Sequence, residues 1–139
     1  MRNKRILNYS IRIPHLELIE SGIPKEFHHF LKYQHVTREE AYELVGYKFS
    51  GWVVLFCDLK GNPYLHQGKP FYRLKPEPEQ LKDNDPPKYL IPKDGGCRPY
   101  FSRLATEEKY KTCKKLFITE GEKKTDALTH YGFPCIGLS

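Results

Sequence analysis

A glutamate, a glycine and two lysines follow directly on an apolar run in the stretch LFITEGEKKTDAL, residues 116–128. The apolar run predicts a strand that ends at Glu120, and Gly121 allows a tight turn because it has no side chain to clash. In a strand–helix–strand unit, reactive side chains collect at the carboxyl end of the first strand, beside the free N–H groups of the following helix. Glu120 is therefore the candidate catalytic residue, with Gly121 as its structural turn. The ordinary alternative is a carboxylate that caps the helix or pairs with a lysine.

Two lysines and two acids occupy the helix predicted after Glu120. Lys123 and Lys124 stand near its start, where the helix dipole and the free N–H groups favour an anion such as phosphate. Simple surface charge is the competing interpretation of both lysines. Glu122 and Asp126 are one helical turn apart, and we expect both to face solvent.

Cationic and aromatic side chains are mixed in FYRLKPEP, residues 71–78, and again between residues 88 and 103. This mixture suits a single nucleic-acid strand, because rings stack on bases while cations follow the phosphates. Edge-strand charges and half-buried aromatic side chains of a hairpin would give the same pattern. The candidate nucleic-acid-binding residues, including the two lysines after Glu120, are Arg73, Lys75, Lys88, Arg98, Arg103, Lys123 and Lys124.

Composition bounds the class of protein. The 139 residues carry a formal net charge of +6, which favours an anionic partner. The four cysteines include no C-x-x-C pair, so a zinc ribbon is excluded. Cys57 and Cys135 lie in apolar runs and are predicted to be buried free thiols of a cytoplasmic protein. We find no signal peptide and no apolar run of about 18 residues, and therefore expect no contact with a membrane.

The elements that must position the candidate residues fall into three regions. Residues 1–48 predict a short helical N-terminal segment of three helices, the last with Thr37 and Glu40 in capping-box spacing. Residues 49–104 predict a basic, β-rich subdomain. Residues 105–139 predict the start of an α/β domain. The fold class expected from this order is α+β.

Within these regions the pattern predicts individual elements. In the first, the stretch 24–34 is expected to be helical. In the second, the run 51–58 and the extended segment 70–74 favour a hairpin or meander, and 88–91 is the one strand candidate in a Pro-rich stretch. In the third, a polar helix precedes the strand that ends at Glu120, and a helix over about 122–131 leads to a second apolar strand. That order predicts a βαβ unit.

The order of strand, glutamate, glycine, helix and strand resembles the opening of the Toprim fold. ITEGEKKTDAL, residues 118–128, is similar to the first Toprim motif of bacterial-type primases and phage primase-helicases. Four further segments resemble an uncharacterised family of plasmid, phage and cyanobacterial replication-type proteins that carry a Toprim-like domain of unknown function. They are HLELIESGIP at 15–24, FYRLKPEP at 71–78, PPKYLIP at 86–92 and RPYFSRL at 98–104. The resemblance extends from about residue 14 to the end of the chain.

The resemblance implies metal-dependent nucleotidyl transfer. In Toprim enzymes the motif glutamate acts near a divalent metal, and an Asp-x-Asp motif on a later strand supplies further ligands. The resemblance therefore implies that Glu120 is the catalytic residue of this chain and a ligand of Mg²⁺ or Mn²⁺.

The chain departs from the Toprim pattern at two places. Many primases have an acid at the position of Lys124, and no Asp-x-Asp stands between Glu120 and Ser139, the last residue of the sequence. The remaining metal ligands are therefore expected beyond Ser139. On this expectation the Toprim-like domain is incomplete here, and this chain alone is inactive.

The function implied is that of a Toprim-type, primase-like protein of DNA replication. It would bind single-stranded DNA and nucleotides and would work with a helicase domain or partner. One alternative is a catalytically inactive nucleic-acid-binding module. Another is a Toprim nuclease-type enzyme of phosphoryl transfer, which shares the same glutamate.

Overall fold

A computed structural model describes residues 15–78 and 88–138 of the chain. The described part is mixed α+β, with small sheets and several helices. In chain order the elements are a helix at 15–20 (α1), a 3-10 helix Lys25–Phe30, β1 Tyr33–Val36, α2 Arg38–Val45, β2 Gly51–Leu55, β3 Leu65–His66, β4 Lys69–Pro70, β5 Tyr72–Pro76, β6 Tyr100–Phe101, α3 Glu107–Thr112, β7 Phe117–Glu120, α4 Glu122–His130 and β8 Cys135–Leu138. The fold class expected from the sequence is confirmed at this level.

Parts of the three predicted regions lie outside the described residues. They are residues 1–14 of the N-terminal segment, the stretch 79–87 of the β-rich subdomain, and Ser139 at the end of the Toprim-like region. The expectation that metal ligands follow Ser139 therefore concerns no described residue, and it stays a prediction.

The first sheet has the order β1-β2-β5, and both of its pairings are antiparallel. The predicted hairpin is present, because β2 pairs with β5 so that Val54 stands opposite Arg73. The prediction of a helix over 24–34 is wrong for the last part of this stretch. The chain forms a 3-10 helix of 6 residues, Lys25–Phe30, and the strand β1 follows it. Burial of Val36 in the core and the pairing of β1 with β2 outweigh the helical spacing of the apolar residues here.

The capping box predicted at the start of α2 is confirmed. The Thr37 hydroxyl accepts from the Glu40 N–H at 3.2 Å, and the Glu40 carboxylate accepts from the Thr37 N–H at 2.8 Å. Gly46 closes the helix in the left-handed region with φ 84°. These caps set the ends of α2, and Ala41 and Val45 pack it on the first sheet.

The apolar core lies on both faces of β2. On one face Val53 packs with α2 and β5, and on the other Trp52 and Val54 pack with aromatic side chains that include Tyr100. A third cluster centred on Leu18 joins α1 and the 3-10 helix, and it reaches α4. The central strand is therefore buried on both faces.

The sheet that carries Glu120 has the order β6-β8-β7. β7 and β8 are parallel and α4 connects them, which confirms the predicted strand, helix and strand. The polar helix expected before β7 is short, because Thr106 caps its start and Cys113 leaves the helical region with ψ 138°. The strand candidate at 88–91 makes a single bridge, between Leu90 and Leu74.

Gly137 lies where α4 packs closely on β8. A Cβ built at this position would lie 2.5 Å from the Thr125 hydroxyl and 3.3 Å from the Gly121 carbonyl oxygen. Gly137→Ala should therefore lower the free energy of unfolding by about 1–3 kcal/mol, because the helix must move off the strand. Chemical denaturation checks this value. Thr125→Ala removes the atom nearest to that Cβ, so it should cost less stability in the Gly137→Ala chain than in the unaltered chain; equal costs would show that packing on α4 does not set the effect.

Cys57 and Cys135 are buried and free, as predicted. His28 is also buried, and its Nε2 is hydrogen-bonded to the Ile23 carbonyl oxygen at 2.8 Å. The role of His28 in the core is therefore structural. None of the helices in the described ranges is both long and apolar enough to cross a membrane.

Candidate functional site

Glu120 ends β7 and is exposed to solvent. It stands opposite Leu138 of the parallel strand β8, and the Gly121 N–H donates to the Leu138 carbonyl at 3.2 Å. Gly121 has φ 86°, a value that glycine adopts without steric cost, and α4 begins at the next residue. The carboxylate of Glu120 therefore lies at the junction of strand and helix, where a ligand can reach it.

The two lysines after Glu120 have different surroundings. Lys123 Nζ lies 3.2 Å from Glu17 Oε2, and its side chain is 24% exposed. Lys124, one residue on, is exposed. Lys124 is therefore accessible to an anion at the start of α4, whereas Lys123 is already paired with Glu17 of α1.

Glu17 is a charge centre that no sequence motif indicates. Its carboxylate accepts hydrogen bonds from the ammonium groups of Lys75 and Lys123, and from Trp52 Nε1 at 2.9 Å. Burial raises the pKa of Glu17, but the hydrogen bond and charge of Lys75 and the charge of Lys123 outweigh burial and lower it. The partners lie far along the chain, so no local pattern around Glu17 could have indicated them.

Two of the candidate nucleic-acid-binding residues, Arg73 and Lys75, hold carboxylates inside the protein. Arg73 Nη1 donates to Glu122 Oε1 at 2.8 Å, and its guanidinium lies 4.2 Å from the centre of the Tyr89 ring. Lys75 is bound to Glu17 and lies over the ring of Trp52. These two cations of β5 therefore tie the first sheet to α4 and α1.

The remaining candidate cations lie on other elements. Lys88 is exposed, with Nζ 5.8 Å from the Tyr89 ring centre. The guanidinium of Arg98 lies 4.9 Å from the centre of the Phe71 ring. Arg103 is half-buried, and its guanidinium packs close to the turn at Gly61. Lys88 and Arg98 therefore lie near aromatic rings of the protein itself, and one of these rings, Phe71, is buried.

Asp126, on α4, is fully buried below the exposed junction. Its Oδ2 accepts from the hydroxyls of Tyr33 at 2.7 Å and Tyr100 at 2.9 Å. Burial raises the pKa of Asp126 to about 7, against hydrogen bonds from Ser102, Tyr33 and Tyr100 that lower it. Burial and the charge of Asp126 also raise the pKa of both tyrosines well above the usual value. With this pKa the carboxyl titrates near neutral pH, yet Asp126 has no exposed surface through which a substrate could exchange a proton with it.

The expectation that Glu122 and Asp126 face solvent is wrong. Both lie on the buried stripe of α4, which consists of Glu122, Thr125, Asp126 and Thr129. The four residues have helical spacing, but all of them are polar. A pattern of apolar periodicity therefore does not include them. Its partners on β1, β5 and β6 are what make burial of these side chains tolerable.

A metal centre is not assembled by the described residues. Within 15–78 and 88–138 there is no group of three or more His, Cys, Asp or Glu side chains that could hold a metal ion. Glu120 offers a single exposed carboxylate, while Glu122 and Glu17 are bound to cations.

Comparison of the chain with protein-family models, with curated proteins and with solved structures found no match. The resemblance to Toprim proteins stays a prediction from the segments quoted above.

Proposed function

We propose that the chain works in a Toprim-type, primase-like replication protein. In this proposal it helps to bind single-stranded DNA, and Glu120 faces the phosphate groups at which nucleotides are joined. The observation that carries the proposal is the position of Glu120. Its carboxylate is exposed at the carboxyl end of a strand, where a glycine with positive φ turns the chain into a helix beside a parallel strand.

The divalent metal implied by the resemblance does not fit the described residues alone. A catalytic Mg²⁺ or Mn²⁺ needs several oxygen ligands, and Glu120 supplies one carboxylate. The described residues offer no cluster that would complete the set. We therefore assign no step to a metal, and nucleotide joining would require carboxylates beyond those described.

DNA binding is proposed for the exposed cations. Arg73, Lys75 and Lys123 are engaged by buried or half-buried carboxylates, which removes them as strong phosphate ligands. Lys88 and Lys124 are exposed. Together with the net charge of +6, these two lysines support a surface that attracts phosphate groups.

A binding module without catalysis is the second candidate. It is favoured by the lack of a metal-binding cluster among residues 15–78 and 88–138. It needs only the exposed cations and no role for Glu120. The two candidates therefore agree on DNA binding and differ on whether Glu120 approaches the bound strand.

Fluorescence anisotropy with a labelled single strand and a matching duplex tests the binding. We expect the single strand to be preferred, and affinity to fall steeply between about 50 and 200 mM salt as counterions are released. Lys88→Gln and Lys124→Gln should each weaken binding severalfold and reduce the salt slope by about 1. Lys48→Gln, a change at an exposed lysine after α2, is the matched control and should have little effect.

Glu120→Gln separates the two candidates within the same assay. If Glu120 lies beside the strand, removing its negative charge should tighten binding at low salt, because repulsion of the phosphates is lost. Glu108→Gln, a change at an exposed acid in α3, should leave affinity unchanged. Equal affinities of Glu120→Gln and the unaltered chain would favour the module without catalysis. No binding at the lower salt would overturn DNA binding by this chain altogether.

A further inference from the structure

Glu17 of α1 binds donors that come from three other elements of the chain. Its carboxylate accepts from the ammonium groups of Lys75 on β5 and Lys123 on α4, and from the indole N–H of Trp52 on β2. Two cations and one N–H group therefore converge on a single pair of oxygen atoms. The same set of donors suits a phosphate group, because its oxygens accept several charge-assisted hydrogen bonds at once.

Trp52 distinguishes this arrangement from an ion pair on the surface. Only 2% of Trp52 is exposed, and its Nε1 lies 2.9 Å from Glu17 Oε2. A buried N–H group needs an acceptor, because an unpaired donor in the protein interior is costly. Any group that replaces the carboxylate must therefore accept from Trp52, and a phosphate oxygen does so.

The positive charge around Glu17 exceeds what one carboxylate neutralises. Burial lowers the pKa of Lys75, and the charges of Lys123 and of the exposed Lys88 lower it further. The hydrogen bond and the charge of Glu17 act in the opposite direction. Within the described residues, three ammonium groups thus share the carboxylate of Glu17. A nucleic-acid strand matches this surplus better, because it brings a further phosphate with each neighbouring nucleotide.

The side chain of Glu17 can leave the donors while α1 stays in place. Leu18, the next residue, is 1% exposed and anchors the helix in a cluster with Ile23 and Leu31. The Glu17 side chain itself is 21% exposed, so it already reaches water. Rotation about its side-chain bonds would therefore carry the carboxylate into solvent without unfolding α1.

We propose that the three donors form a phosphate-binding site, which Glu17 occupies until a phosphate displaces its carboxylate. The donors are the ammonium groups of Lys75 and Lys123 and the indole N–H of Trp52. In the free chain Glu17 keeps the buried N–H paired and the lysines neutralised. Lys75 and Lys123 are therefore weak phosphate ligands only while Glu17 is bound to them.

The inference deepens the proposed function and rests on it for the source of the phosphate, which is the backbone of a single DNA strand. Lys123 stands three positions after Glu120 and next to the exposed Lys124. Displacement of Glu17 would thus add Lys123 to the cations beside the candidate site. Glu17 is then a competitor within the chain that limits how tightly the strand binds there.

Trp52 is the only tryptophan of the chain, so its indole N–H gives a single reporter signal in a proton–nitrogen correlation spectrum. Pyrophosphate is titrated into the labelled chain at constant ionic strength, and the signal should move as a phosphate oxygen replaces the carboxylate. In Glu17→Gln it should move at about tenfold lower concentration, because the amide still accepts from Trp52 but no longer neutralises the lysines. Glu20→Gln, the same change of charge at an exposed acid of α1, should keep the midpoint of the unaltered chain.

Two double variants test whether the gain belongs to this site. Adding Lys123→Gln to Glu17→Gln should remove most of the gain, whereas adding Lys48→Gln, at an exposed lysine after α2, should preserve it. Should Glu17→Gln fail to fold, Glu17→Asp is the second variant. Its shorter side chain reaches the donors less well, so the midpoint should move in the same direction.

Three titrants separate the possible sources of the phosphate: a short single strand of DNA, a nucleoside triphosphate and pyrophosphate. We expect the single strand to move the Trp52 signal at the lowest concentration. A response to the triphosphate or pyrophosphate with none to the strand would support the site and overturn the strand as its ligand, so failure of DNA binding is distinguished from failure of the site. No movement with any of the three, or equal midpoints for Glu17→Gln and Glu20→Gln, would overturn the site.

Discussion

Replacing Asp126 by asparagine should remove a pH dependence of about 4 kcal/mol from the free energy of unfolding. The pKa of this carboxyl is raised from 3.8 to about 7 in the folded chain, and each pKa unit corresponds to about 1.4 kcal/mol. Between these values the folded state holds a proton that the unfolded state has released. The stability that comes from Asp126 is therefore fully present below about pH 4 and is lost as the pH rises through about 7.

Denaturation of the unaltered chain and of Asp126→Asn at several pH values checks this result. The advantage of the unaltered chain over the variant should shrink steadily from about pH 4 to about pH 8. Taking the difference cancels the contributions of other groups, including Glu17, whose pKa is lowered and whose effect has the opposite sign. Glu108→Gln, at an exposed acid, is the matched control. If the difference in the free energy of unfolding between the unaltered chain and Asp126→Asn does not change with pH, Asp126 stays ionised when buried.

Loss of the Arg73 charge should destabilise the chain by about 3–5 kcal/mol, because it leaves the Glu122 carboxylate buried without its cation. The two side chains meet at 2.8 Å and are 14% and 1% exposed. Arg73→Met keeps an unbranched apolar side chain at this position, but it removes both the charge and the guanidinium group that lies over the Tyr89 ring. Urea denaturation at constant pH measures the loss.

The double variant Arg73→Met/Glu122→Gln isolates the cause. Removing both charges should recover most of the stability, because the cost comes from the unpaired carboxylate. Lys111→Met offers a comparison on the surface. Its partner is Glu107, the two side chains are 63% and 30% exposed, and its loss should cost less than about 1 kcal/mol. A loss at Arg73 no larger than that at Lys111 would contradict the assignment of Arg73 as the essential partner of Glu122.

Local chemistry explains which parts of the structure the sequence could predict. The capping box at Thr37, the strand that ends at Glu120 and the turn at Gly121 depend on residues within a few positions of one another. Such features are readable because their stabilising contacts are local. The strand β1 could not be predicted in this way, because its place is decided by pairing with β2, which begins at Gly51.

The buried polar stripe of α4 could not be predicted for the same reason. Glu122 and Asp126 resemble surface acids until their partners are known, and Tyr33 lies 93 positions before Asp126. Likewise Arg73 and Lys75 have the composition of a phosphate-binding segment, yet each faces a carboxylate from a distant element. Charge in the sequence shows which groups can bind an anion. It does not show whether the protein itself supplies that anion.

The polar stripe of α4 also bears on the order in which the chain can fold. The partners of Glu122 and Asp126 are spread over β1, β5 and β6, all of which precede α4. During synthesis these strands emerge first, with Tyr33, Arg73 and Tyr100 lacking their acceptors until α4 follows. Such long sequence separations slow folding, because the loops must close before the contacts can stabilise the chain. We therefore expect α4 to dock late in folding, after the strands that carry its partners have emerged.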